Sequence, residues 1–119
     1  MPDPLPTFAD TLGRRDGGGY EIYVWLGPDA DRKRLRSLGG RRSWMPWPAA
    51  YVFTSKEGDE ALAVLLTSLR DAGVAFLAGN YRDGYNLGGH YEALRDKGLV
   101  AGPYHRLQMS PTGWYVRPA

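Results

Sequence analysis

The 119-residue chain contains no cysteine. Disulfides, thiolate metal sites and thiol catalysis are thereby excluded. Histidine is nearly as scarce, with only His90 and His105. Those two can ligate a metal only together with carboxylates such as Glu92 or Asp96, and no HExxH or comparable spacing occurs. Neither a metal nor a cofactor is expected. The same shortage argues against acid–base catalysis, and Ser110 has no Ser/His/Asp context. No apolar run approaches the ~18 residues that cross a bilayer, so no membrane association is expected. Residues 1–10 hold Asp3 and Asp10 and no Lys or Arg, unlike the basic start of a signal peptide. The expectation is a cytoplasmic protein that is not an enzyme.

What is present is ordinary in amount and uneven in placement. The chain is 43% hydrophobic and 24% charged, as expected of one globular domain. Its net charge is only +2. Yet Arg32, Lys33, Arg34, Arg36, Arg41 and Arg42 place 6 positive charges and no acid within 32–42. The remainder holds 9 basic and 13 acidic residues, a net of −4. One short segment therefore carries the positive field of a slightly acidic protein.

Residues 1–19 read as a flexible lead-in, with early prolines and the unpatterned run Arg14-Arg15-Asp16-Gly17-Gly18-Gly19. The single domain is expected over 20–119, with a core unit at 20–78 and a helix plus hairpin at 89–119. Alternation of Tyr20, Ile22, Val24 and Leu26 with Glu21, Tyr23 and Trp25 predicts an interior strand over 20–26. Gly27-Pro28 ends it. Asp29 is placed to cap a helix running to about Leu38, with Leu35 and Leu38 inward and Arg32, Lys33 and Arg36 outward. Gly39-Gly40 supplies its stop. Residues 41–48 read as a turn region and 49–54 as a second strand, with Tyr51 or Phe53 in the core. Thr54 and Glu57 have the spacing of a capping box before a helix to about Ala72. That helix carries an apolar stripe of Ala61, Leu62, Leu65, Leu66 and Leu69. A third strand over 74–78, a loop over 79–89 and a short helix over about 90–97 follow. Two strands flanking Ser110-Pro111-Thr112-Gly113 form a hairpin. The fold class is α+β: a small mixed sheet packed against two or three helices, with a C-terminal β-hairpin.

Several cations on one accessible face are what phosphate binding requires, and Arg offers bidentate contacts. Arg32, Lys33, Arg36, Arg41 and Arg42 are the candidate phosphate contacts. Trp44 beside them is the candidate for stacking on bases, preferred over Trp47. A second candidate surface is the Gly-rich loop carrying Tyr81, Arg82 and Tyr85, whose glycines match neither a Walker nor a dinucleotide pattern. The bland alternatives are helix-dipole complementation by the basic helix, with Asp29 and Asp31 at its start, and a plain surface loop.

Leu35-Arg36-Ser37-Leu38-Gly39-Gly40-Arg41, followed by Ala50-Tyr51-Val52-Phe53-Thr54, resembles the HARP-type module found on annealing helicases and in small phage and viral domains. The resemblance covers about 20–69. It implies a compact α/β unit that takes part in nucleic-acid transactions without catalysing them, in a small protein of bacterial or phage type. In this chain Arg42 and Ser43 intervene before Trp44, displacing the aromatic that follows Gly-Gly-Arg in that pattern. Residues 91–100, 104–107 and 111–114 also resemble the last helix and wing of a winged-helix domain, which would bring His105 and Arg106 to DNA. The expected function is non-enzymatic binding of nucleic acid, DNA or RNA. The alternative is a protein-interaction module, a small inhibitor or adaptor of a larger enzyme. Trp25, Trp47, Tyr81, Tyr85, Trp114 and Tyr115 would form its contacts. A small enzyme is the third possibility, to be favoured by a deep pocket joining either histidine to a carboxylate.

Overall fold

A computed structural model of the chain describes residues 5–14, 19–43, 50–56, 58–78, 86–111 and 113–119. The elements are β1 (Phe8–Arg14), β2 (Tyr20–Trp25), α1 (Arg32–Ser37), β3 (Arg41–Arg42), β4 (Ala50–Thr54), α2 (Asp59–Asp71), β5 (Ala75–Leu77), α3 (Leu87–Asp96), β6 (His105–Ser110) and β7 (Gly113–Pro118). The fold is α+β. Its seven strands form one mixed sheet in the order β3-β4-β2-β1-β5-β6-β7. β1 runs parallel to β5, and β5 parallel to β6, while the other neighbouring pairs are antiparallel.

All three helices contribute to one buried cluster on one face of the sheet. Leu35 of α1, Leu62, Leu66 and Leu69 of α2, and Leu87, Tyr91 and Leu94 of α3 meet Ile22, Val24, Phe53 and Phe76 of the strands. The period-2 alternation of β2 explains the split: Ile22 and Val24 are buried against the helices, and Tyr23 and Trp25 take the other face. On that second face a smaller cluster joins Ala75, Leu77 and Leu107, with Phe8 packed against it. Trp25 stacks on Phe8 at 5.2 Å between ring centroids. Trp25 is therefore half-buried rather than offered freely to a partner.

Several expectations need correcting. The stretch set apart as a lead-in supplies β1, which lies between β2 and β5 near the middle of the sheet. Ala9 in β1 is fully buried. The cap of α1 is Asp31, whose side chain accepts from the Arg34 amide. A turn closed by the Ala30 amide on the Gly27 carbonyl delays the helix past Asp29. Thr54 ends β4, and α2 starts from Gly58 instead of a capping box. Glu57 lies outside the described residues. β3 occupies the start of the expected turn region, and α3 begins three residues early, capped by Asn86. The C-terminal hairpin extends the sheet, as the α+β reading expects: β6 pairs with β5, so 89–119 continues the sheet and is not the free wing of the winged-helix likeness. Both Tyr51 and Phe53 are buried. Among the described residues, no helix is long and apolar enough to cross a membrane.

Candidate nucleic-acid interface

The basic segment folds as α1, a two-glycine turn and β3, at one edge of the sheet. Leu35 is the one buried residue of α1 and pins the helix to the core. Gly39 takes φ +103°, a left-handed conformation that suits glycine at the helix stop. Gly40 is required for a different reason: a Cβ there would sit 2.7 Å from Phe53 Cζ and 2.9 Å from the Leu35 carbonyl oxygen. The chain thus turns tightly against Phe53 and delivers Arg41 and Arg42 to β4, opposite Val52 and Tyr51.

Arg32, Lys33, Arg34, Arg36, Arg41 and Arg42 are all exposed. Residues of an α-helix follow one another at about 100° of rotation, so Arg32, Arg36 and Lys33 fall within one arc of roughly 100° on one flank of Leu35. Arg34 falls on the other flank. Cross-strand partners share a sheet face. Arg42, opposite Tyr51, therefore lies on the face that carries α1, whereas Arg41, opposite Val52, lies on the far face. The helix arc and Arg42 are thus on the α1 side of the sheet, a basic ridge by placement, and its extension, Arg41, stands across the sheet edge on the far face.

The neighbouring acids are engaged elsewhere. Asp29 accepts from the Thr7 amide at 2.8 Å and the Thr7 hydroxyl at 2.9 Å. Asp31 holds the Arg34 amide at 3.0 Å. Among the described residues, none of the six cations joins an ion pair. Basic residues elsewhere divide: Lys56 and Arg117 are also exposed and join no ion pair among the described residues, whereas four others are engaged. Arg70 pairs with Asp71 and donates to the Tyr91 hydroxyl, Lys97 pairs with Asp59 at 2.7 Å, and Arg95 and Arg106 lie within 4 Å of Glu92. Arg106 is thus turned towards α3 and away from the DNA contact expected of a wing, while His105 is exposed.

Buried titratable groups cluster away from the ridge. Burial, followed by the hydrogen bond it donates to Glu92, raises the pKa of the Tyr104 hydroxyl well above its usual value. Burial likewise raises the pKa of the Asp10 carboxyl, against the lowering effect of the Leu87 amide that donates to it. The two histidines stand apart. His105 is on β6, and His90 meets Tyr20 edge-on at 5.1 Å. His90 also borders a half-open hollow of about 310 Å³ with Tyr20, Asp59, Leu62, Ala93, Leu94 and Lys97. Its carboxylate, Asp59, is bound to Lys97. Among the described residues, no group of three metal-binding side chains comes together.

Trp44, Trp47, Tyr81, Arg82 and Tyr85 lie outside the described residues. A feature that the sequence did not yield is the far-face row of Phe8, Trp25 and Tyr23. Its only signal in the sequence is the alternation of β2, because no period marks Phe8 as part of a strand. Glu21 shares that face and accepts from the Tyr23 hydroxyl at 3.2 Å, which makes the row a poor phosphate surface beside the ridge. No family model matches the chain, and neither a curated protein nor a solved structure matches it.

Proposed function

We propose that the chain is a non-enzymatic nucleic-acid-binding protein that grips the phosphate backbone with the α1–β3 ridge. The supporting observation is the contrast in pairing. Six exposed cations stand together without an acidic partner among the described residues, whereas Arg70, Arg95, Lys97 and Arg106 are each engaged with acids and the exposed, unpaired Lys56 and Arg117 each stand singly in the sequence. Helix-dipole complementation requires cations only in the last turn, and here they run through α1 into β3. Guanidinium groups displayed without ion-pair partners among the described residues are available for bidentate contact with phosphate. The likeness of 35–41 and 50–54 to the HARP-type module points to the same class of partner. Trp44, Tyr81, Arg82 and Tyr85 are assigned the stacking and edge contacts that accompany this grip.

The test is a fluorescence-anisotropy titration with single- and double-stranded DNA and RNA oligonucleotides. The double variant Arg36→Glu, Arg41→Glu removes one cation from the ridge and one from its extension. Tenfold or greater loss of affinity with unchanged circular dichroism is expected. Full-strength binding by that variant, or no binding by the parent chain, overturns the proposal.

A further inference from the structure

The two edges of the sheet are unlike. The β3 edge is two residues long and both are arginine, a pattern that blocks pairing with another strand. The β7 edge is six residues long, every one of them exposed, and Trp114, Tyr115 and Val116 stand at 43%, 38% and 41% exposure. A long, largely apolar edge that no strand of the described residues covers is a template for one more strand.

The hydrogen-bond phase defines what that edge offers. Tyr104 and Ala119 exchange both backbone bonds, at 3.3 and 2.9 Å. Inward-bonded residues alternate along an antiparallel pair. With the unbroken β6–β7 register, Arg117, Tyr115 and Gly113 therefore face β6. The amides and carbonyls of Trp114 and Val116 point away from it, as does the Pro118 carbonyl. Pro118, which has no N–H, limits the open stretch at one end, and the hairpin turn limits it at the other.

Charge selects the occupant. Residues 104–119 contain no acid; Arg106 is engaged with Glu92, and the exposed Arg117 of β7 joins no ion pair among the described residues. A second copy would set two acid-free strands, each with its Arg117, side by side, with no acid on either to offset the charge. We infer that β7 receives an extended segment of another protein, with apolar and acidic residues in strict alternation, as an eighth strand. Its apolar side chains lie over Trp114 and Val116, which share one face with Leu107. Its acids lie on the opposite face beside Tyr115 and Arg117. Main-chain bonds to Trp114 and Val116 supply affinity and the alternating side chains supply selectivity. This inference is independent of the phosphate ridge at the other end of the sheet.

The test uses the full chain, ¹⁵N-labelled, titrated with the peptide Ac-Thr-Val-Glu-Val-Glu-Val-Thr-NH2. Saturable shifts and slowed hydrogen exchange at the Trp114 and Val116 amides are expected. Affinity should fall at least tenfold for the peptide with Lys in place of Glu, and for one N-methylated at alternate amides. Val116→Pro, which removes an outward donor, should abolish binding. Trp114→Ser serves as a second variant with the strand hydrogen bonds intact and should weaken it. Absence of shifts on β7, equal binding of the Lys peptide, shifts of those amides with an oligonucleotide instead, or self-association of the free chain through β7 each overturn the inference.

Discussion

Leu35→Ala removes no charge, yet it should disable the ridge. A six-residue helix has no stability of its own, since nucleation cost exceeds what one turn returns. α1 holds its place through Leu35, which is 1% exposed, with Leu38 packed alongside. Truncating a leucine buried to this degree costs about 2–5 kcal/mol. Taking ~3 kcal/mol and a urea m-value near 2 kcal/mol/M, the unfolding midpoint falls by roughly 1.5 M. That is a large part of the ~5–15 kcal/mol that holds a domain together. Val64→Ala, at a site 69% exposed on α2, is the matched control and should stay within about 0.5 kcal/mol of the parent. In urea-free buffer the Leu35→Ala protein should also lose oligonucleotide affinity severalfold, because its cations are no longer held in one arc. A midpoint shift under about 0.3 M, no larger than an ordinary surface substitution, would refute the anchoring of α1 by Leu35.

Gly40→Ala should lower the melting temperature and cost about 1–3 kcal/mol, since the new Cβ meets the Phe53 ring and the Leu35 carbonyl with no room to retreat. Burial keeps the proton on Asp10 in the folded state above the ordinary carboxyl value of 3.8, so this group costs stability as pH rises from 3.8 through its raised folded value. Asp10→Asn keeps an acceptor for the Leu87 amide, and its melting temperature relative to the parent should be higher at pH 7 than at pH 3. Tyr104 carries a pKa raised by burial and by its bond to Glu92, so the folded state retains that proton. Stability is full below the ordinary tyrosine value of about 10 and declines as pH rises above it, a decline that Tyr104→Phe should reduce in thermal melts at pH 9 to 11.

The sequence makes β2 legible because Tyr20, Ile22 and Val24 alternate with Glu21, Tyr23 and Trp25 before Gly27-Pro28, and β4 because the short aromatic and β-branched run Tyr51-Val52-Phe53 follows Pro48. The stripe of α2 is legible for the same kind of local reason. β1 is not. Its one fully buried position among the described side chains is the small Ala9, and its polar residues are fixed by distant partners. Thr7, just ahead of it, binds Asp29 across 22 residues, and Asp10 binds the Leu87 amide across 77. Such pairings leave no periodic trace. The joining of β5 to β6 is equally non-local, which is why 89–119 resembles a detached helix and wing.

At the ridge, composition alone exposes the six clustered charges. It cannot tell that Asp29 and Asp31 are occupied by Thr7 and the Arg34 amide, so that the arginines have no ion-pair partner among the described residues. Nor can it divide Arg41 from Arg42. The register with Val52 and Tyr51 sets them on opposite faces.

The salt dependence of oligonucleotide affinity tests the central claim most directly. If Arg32, Lys33, Arg36, Arg41 and Arg42 each neutralise a phosphate of duplex DNA, log K falls against log salt with a slope near −4.5, about 500-fold between 50 and 200 mM. A slope shallower than about −1 would mean that these cations do not hold a polyanion.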